Sequence, residues 1–188
     1  MNCWINGPVT LRRCSDEDWP LLYGSLQDVQ GRYWLQTSVE PLYSEAEAEV
    51  RWADFLSERR DEGRLDLAVC VNGRPVGVVS LAVQDERCGI FTIPLFILPD
   101  DQRQGYARRA LELLLDYAFN ERRLHKWQAS IVADNAASIA LHESLGCKLE
   151  GCFREQIFHD GAWQNELWYG MTEQEWRSRA THSPTGCG

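Results

Sequence analysis

A chain of 188 residues, 44% of them apolar and 25% charged, has the composition of a folded domain, which excludes global disorder. Its formal net charge of −9 repels phosphate backbones, so nucleic acid is not expected as a partner. No apolar run reaches the roughly 20 residues of a bilayer-spanning helix, so no membrane partner is expected either.

Residues 9–12 read as a short first strand. Ser15 before Asp16-Glu17-Asp18 predicts an N-cap with acids in the first helical turn, where the helix dipole favours them. Residues 30–42 are irregular and aromatic, with Tyr33, Trp34 and, just beyond, Tyr43. A second helix starts after Ser44, with Glu47 completing a capping box and an apolar period running through Arg59. Residues 67–71 and 74–83 flank Asn72-Gly73, a tight-hairpin signal because both turn residues need positive φ. Residues 89–98 are apolar almost throughout, which predicts a strand covered on both faces.

The clearest helix carries Ala107, Ala110, Leu111, Leu114, Leu115, Ala118 and Phe119 at three- and four-residue spacing. Trp127, Ala129 and Ile131 then alternate with polar residues, as in a strand. A short helix opens at Asp134-Asn135 and stops at Gly146. Residues 153–159 and 162–171 flank Asp160-Gly161, a second hairpin signal, and Thr172 with Glu175 caps a last helix. The order of elements predicts one mixed α/β domain over residues 1–180, followed by a patternless tail at 181–188.

Seven cysteines, an odd number without any Cys-x-x-Cys pair, read as reduced thiols rather than a disulfide framework or a metal site. The opening Met1-Asn2-Cys3-Trp4 lacks the pattern of a secretion signal, so a cytoplasmic location is expected. Cys88 and Cys147, in apolar contexts, read as core filler. Between residues 16 and 62 there are twelve acidic residues against four basic ones. That segment is either a pair of solvated helices or a field that attracts a cationic partner.

The segment from Pro99 to Ala107 ends an apolar strand, turns through Gln102-Arg103-Gln104-Gly105, and starts the long helix at Tyr106. A glycine lets the backbone approach a ligand closely, and a helix start offers unpaired N–H groups. Together they make an anion site that would suit a pyrophosphate, with Arg103, Arg108 and Arg109 adding positive charge. It is not a Walker loop, because the Gly-Lys-Ser/Thr ending is missing.

Gln102-x-x-Gly105-x-Ala107 resembles the Arg/Gln-x-x-Gly-x-Gly/Ala motif of the GNAT superfamily of N-acetyltransferases. About thirty residues on, the run from Asn135 to Cys147 resembles that family's second signature. Glu150-Gly151, Arg154-Glu155 and Asp160-Gly161 resemble the branch of ribosomal-protein N-terminal and spermidine acetyltransferases. The resemblance implies a central, twisted, mostly antiparallel mixed sheet of about seven strands flanked by helices. It implies transfer of an acetyl group from acetyl-CoA to a primary amine without a metal. By the same resemblance, backbone groups of Ile97 and Leu98 hold the pantetheine, and the N–H groups from Arg103 through Gln104, Gly105, Tyr106 and Ala107, with Arg108, cradle the pyrophosphate. Asn135 contacts the pantetheine arm or caps its helix, and both roles are compatible.

His142 stands where the family commonly has a tyrosine thought to protonate the leaving thiolate. A histidine there either donates that proton or only packs beside the cofactor. Glu166 is the candidate base carried forward, with Glu86, Glu155 and His159 as further candidates. The acceptor expected is cationic, walled by Tyr33 and Trp34 beside the first two helices. A non-catalytic acyl-CoA-binding module on the same fold is the alternative, and a homodimer stays open.

Overall fold

The computed structural model describes residues 4–35, 44–58, 64–159 and 161–180. Its centre is one sheet of nine strands. In chain order these are β1 (Ile5–Asn6), β2 (Val9–Arg13), β3 (Leu65–Val71), β4 (Arg74–Asp85), β5 (Ile90–Thr92), β6 (Leu95–Ile97), β7 (Lys126–Val132), β8 (Lys148–His159) and β9 (Ala162–Thr172). The helices are α1 (Trp19–Gln27), α2 (Val29–Trp34), α3 (Glu45–Glu58), α4 (Tyr106–Asp116), α5 (Ala136–Ser144) and α6 (Glu173–Ala180). The strands run β1-β2-β3-β4-β5-β7-β9-β8 across the sheet, and β6 pairs with β4 beyond β5. All pairings are antiparallel except β5 with β7.

The two strands beyond the expected seven have separate causes. β1 is a two-residue edge piece that pairs with β2. The apolar run at 89–98 does not form one strand: it is interrupted after Thr92 and resumes at Leu95, with Pro94 between. Proline lacks the N–H a ladder needs, so the chain bulges there. Pro94 still accepts from Ser80 N–H through its carbonyl, at 2.9 Å, and holds the bulge on β4.

α4 lies on one face of the sheet. Its Ala110, Leu111, Leu114 and Leu115 are buried with Val69, Leu81, Phe91, Trp127 and Met171. A single π turn (Tyr117–Glu121) extends it and buries Ala118 and Phe119 in the same core. On the other face α1 packs Leu21 against Ala68 and Cys70 of β3. Cys147 is buried as expected, whereas Cys88 is exposed in the β4–β5 turn, where its N–H donates to Asp85. Of the stretch at 30–42, expected to be irregular, residues 30–34 belong to α2; residues 36–42, Tyr43, Arg59, Asp160 and the tail at 181–188 lie outside the described residues.

The capping boxes form as the sequence requires. Ser44 N–H donates to Glu47 at 2.8 Å, and Thr172 N–H to Glu175 at 2.8 Å. Glu175 also pairs with Lys148 at 2.5 Å, and that bond first, then the Thr172 backbone, holds its carboxyl down to about 2. A carboxyl depressed in the fold stabilises it above the unfolded value and loses that contribution as pH falls through the folded one. The expected result is that part of the acid sensitivity between pH ~4.5 and ~2 belongs to Glu175. Thermal melts of Glu175→Gln should show a shallower loss over that window; an identical slope would remove the assignment.

Candidate cofactor and acceptor site

The site follows from how two strands part. β5 pairs with β7 only at Ile90↔Lys126 and Phe91↔Trp127. Beyond that rung β6 stays with β4, and β7 continues with β9 as far as Val132↔Glu166. In the β4–β6 ladder Leu98 N–H donates to Val76 at 2.9 Å and Pro94 C=O accepts from Ser80. Alternation then turns the N–H and C=O of Leu95 and Ile97 to the opposite edge, toward β7. Two open strand edges therefore face each other across a fork, a geometry suited to an amide-rich arm. Of the two residues expected to serve such an arm, Ile97 turns its N–H to the fork while its C=O accepts from Gln102, and Leu98 has spent its N–H on β4.

The turn after β6 has the backbone geometry of an anion site. Arg103 and Gly105 both take positive φ, 60° and 77°. Two left-handed residues within three positions form a backbone concavity of the kind that binds phosphates. Gly105 is the N-cap of α4, so the N–H groups of Tyr106, Ala107 and Arg108 have no intrahelical acceptor and sit at the positive end of the dipole. Gln102 Nε2 donates to Ile97 C=O at 3.0 Å and ties the turn back to β6. The Arg108 guanidinium is engaged by Glu112 at 3.0 Å and Ser144 Oγ at 2.9 Å, so it braces α4 against the end of α5. What it offers a phosphate is its backbone N–H. Arg109 donates to Asn6 at 3.1 Å, on β1, and Arg103 is exposed on the turn itself. A cleft of about 560 Å³ beside the turn is lined by Gly24, Arg74, Leu98, Pro99, Asp100 and Asp101.

At the far end of the fork, Asn135 caps α5, its Oδ1 accepting from Ser138 N–H at 3.0 Å. Its Nδ2 amide is the group left to serve a ligand. His142, one face of α5 inward, is buried. Its Nδ1 lies 2.8 Å from the Ser138 carbonyl, and its ring centroid 4.9 Å from that of Trp127. A carbonyl only accepts, so Nδ1 carries the hydrogen. Burial lowers the ring's pKa below the ordinary histidine value. A neutral ring protonated at Nδ1 has a lone pair at Nε2, and it can donate from that nitrogen only after taking up a proton there.

The other candidates separate by position. Glu86 is exposed in the β4–β5 turn, at the opposite end of the sheet from the helix α4 start. Glu166 is buried on β9 opposite the last residue of β7, and it accepts from Trp168 Nε1 at 3.2 Å. Glu155 takes φ 52° in a bulge of β8, where its N–H donates to Asn165 Oδ1 at 3.0 Å. Asn165 C=O accepts from Ala133, just past β7, so the bulge is fastened to the fork's mouth. A second cleft of about 530 Å³ lies there, lined by Cys152, Phe153, Arg154, Glu155 and Asn165.

α2 reaches over this mouth. Trp34 Nε1 donates to Asp134 at 3.1 Å and Tyr33 Oη to the same carboxylate at 3.3 Å. The Tyr33 ring stacks on His159 at 3.5 Å between centroids. Burial, then the Asp134 charge, pushes the Tyr33 phenol up to about 12. Two of the described acids of the 16–62 segment are engaged elsewhere. Asp18 is held by both Arg12 Nη atoms at 2.7 Å, and Glu47 by its cap. Asp134, outside that segment, supplies the charge at the mouth. Sequence reasoning missed Asp134, Trp168 and Phe153, because cross-strand and long-range pairing brings them to the site.

Residues 9–148 match the family model described as acetyltransferase (GNAT) domain. The SPbeta prophage-derived uncharacterized N-acetyltransferase YokL of Bacillus subtilis is 28% identical over 174 residues, 92% of this chain and 94% of that protein. Spermidine N(1)-acetyltransferase of Escherichia coli K12 is 27% identical over 137 residues, 72% of this chain and 70% of that one. The crystal structure of spermidine N-acetyltransferase from Vibrio cholerae in complex with CoA and spermine superposes with a TM-score of 0.79 at 22% identity. It covers 92% of this chain and 99% of the other.

Proposed function

The chain belongs to the GNAT acetyltransferase family and is an acetyl-CoA-dependent N-acetyltransferase, and we propose that its acceptor is a linear aliphatic polyamine. The observation that carries this is the Asp134 carboxylate, held at the fork's mouth by Tyr33 and Trp34 with His159 stacked behind. A carboxylate beside aromatic faces reads an ammonium through charge and cation–π attraction. The relatives that act on spermidine, and the one solved with spermine, support the same class of acceptor. Acetyl-CoA lies with its pantetheine between Ile97 and β7 and its pyrophosphate on the N–H groups from Arg103 to Arg108. Asn135 meets the arm near its end. The amine enters from the α2 side, and the buried Glu166 carboxylate stabilises the cation on arrival.

An acceptor panel tests this: spermine, a short peptide with a free N-terminus and a monoamine, each followed by CoA release and product mass. The expected result is the highest kcat/KM for spermine, falling steeply between 50 and 300 mM salt (on the order of tenfold), as screening of charge attraction requires. Preference for the peptide without salt dependence would move the assignment to the N-terminal branch. CoA release from no amine would favour the non-catalytic module.

The proposal includes the compartment and the assembly. The five described cysteines form no disulfide with one another, as suits a reducing cytoplasm. β8 is an edge strand of the described sheet and exposes Leu149, Phe153 and Phe158 beside Trp163 of β9, so a second copy pairing along β8 gives a homodimer. Sedimentation should give twice the 21.6 kDa mass, and a monomer at micromolar concentration would remove the dimer.

A further inference from the structure

We propose that His142 acts as a proton shuttle, a single group that does the work of both base and acid in the transfer. This rests on the acetyl-transfer assignment and goes beyond it, since the fold alone fixes neither group. The ring stands over the apex of the fork: it packs on Trp127, whose Cα pairs with Phe91 at the last rung before the strands part. Its Nδ1–H is committed to the Ser138 carbonyl, which fixes the tautomer and the ring plane. Nε2 is thereby an acceptor. The Nε1 of Trp127, on whose ring the imidazole packs, is buried and makes no hydrogen bond among the described residues. The imidazole is thus held at the corner in one tautomer, with Nε2 as its accepting nitrogen.

The chemistry balances through that one nitrogen. As the neutral amine bonds to the thioester carbon, its nitrogen becomes cationic and gives a proton to Nε2. As the C–S bond breaks, the imidazolium passes the same proton to sulfur, releasing the CoA thiol and restoring the neutral ring. The proton that the arriving ammonium sheds to become the neutral nucleophile leaves to solvent beforehand, and the transfer itself then consumes no outside acid or base. Burial keeps the resting ring neutral, as the shuttle needs. The titratable groups around it stay out of the way. Tyr169 on β9 donates to Glu143 at 3.0 Å and is raised by burial, and the Cys147 thiol is pushed by burial to about 12.

The test is the pH profile of kcat at saturating amine, with acetyl-CoA affinity by calorimetry. In the wild type, kcat should rise with pH through a value below the ordinary histidine pKa, about 6.5. His142→Phe keeps the ring volume but not the lone pair. It should lower kcat about 100-fold, leave acetyl-CoA Kd within twofold, and erase that limb. His142→Gln should do the same and stands in if the first fails to fold. A kcat that falls with pH over this range would make His142 an acid and overturn the shuttle. Wild-type kcat in either variant would leave it a packing residue. Absence of CoA release by the wild type, with acetyl-CoA still bound, would instead remove the acetyl-transfer reading on which the shuttle depends.

Discussion

Gly105→Val should raise the acetyl-CoA Kd on the order of 100-fold while the protein stays folded. Gly105 has φ 77°, a conformation that a β-branched residue avoids at a cost of roughly 1–3 kcal/mol. A Cβ there would meet no protein atom within 4 Å, so the loss does not come through packing. It comes from the turn relaxing out of the left-handed region and re-aiming the N–H groups of Tyr106, Ala107 and Arg108. Hydrogen bonds to a charged group contribute about 1.5–3 kcal/mol each, so misdirecting one or two accounts for the expected factor. Gly73 is a matched control. It has φ 81°, equally open space, and a place in the β3–β4 hairpin away from α4. Gly73→Val should lower the melting temperature by a similar amount and leave acetyl-CoA binding intact. Calorimetry on both variants decides: unchanged affinity in Gly105→Val, or equal weakening in both, would take the pyrophosphate off this turn.

Much of this frame is local and so legible in the sequence. Capping boxes, the Asn72-Gly73 hairpin and the apolar stripe of α4 depend on neighbours within a few positions, and each forms where the spacing puts it. The tight turn at 102–105 and the Asn135 cap were readable because both are local too. The fork was not. Residues 89–98 carry an unbroken apolar signal, and only the partner edges of β4 and β7 show that Pro94 splits the run. For His142 the residue type left a donor and a packing role open, and only the Ser138 carbonyl one helical turn back shows which ring nitrogen carries the hydrogen. Periodicity also missed α2, a six-residue helix with glycine at its centre and an aromatic end that tertiary contacts hold in place. The mouth is the extreme case, since Tyr33 and Asp134 are 101 positions apart.

The mouth yields the second large expected effect. Asp134 has two separable features: it carries charge, and it latches α2 through Trp34 and Tyr33. Asp134→Asn keeps an oxygen that accepts from the Trp34 indole and places an NH2 that the Tyr33 hydroxyl oxygen can accept from, but it removes the charge. If the charge reads the acceptor, this variant should raise KM for spermine about tenfold, equivalent to roughly 1.4 kcal/mol. The salt dependence of kcat/KM should flatten, with acetyl-CoA Kd unchanged. Asp134→Ala removes the latch as well, so α2 loses its anchor and the Tyr33 stack on His159 loosens. Its KM should rise further, on the order of 30-fold, and the residual activity should be the same for spermine and a monoamine. The graded pair distinguishes the two features. Loss confined to Asp134→Ala would make Asp134 a latch whose charge is incidental, and the polyamine assignment would lose its principal support. Wild-type KM in both variants would place the acceptor away from α2 altogether.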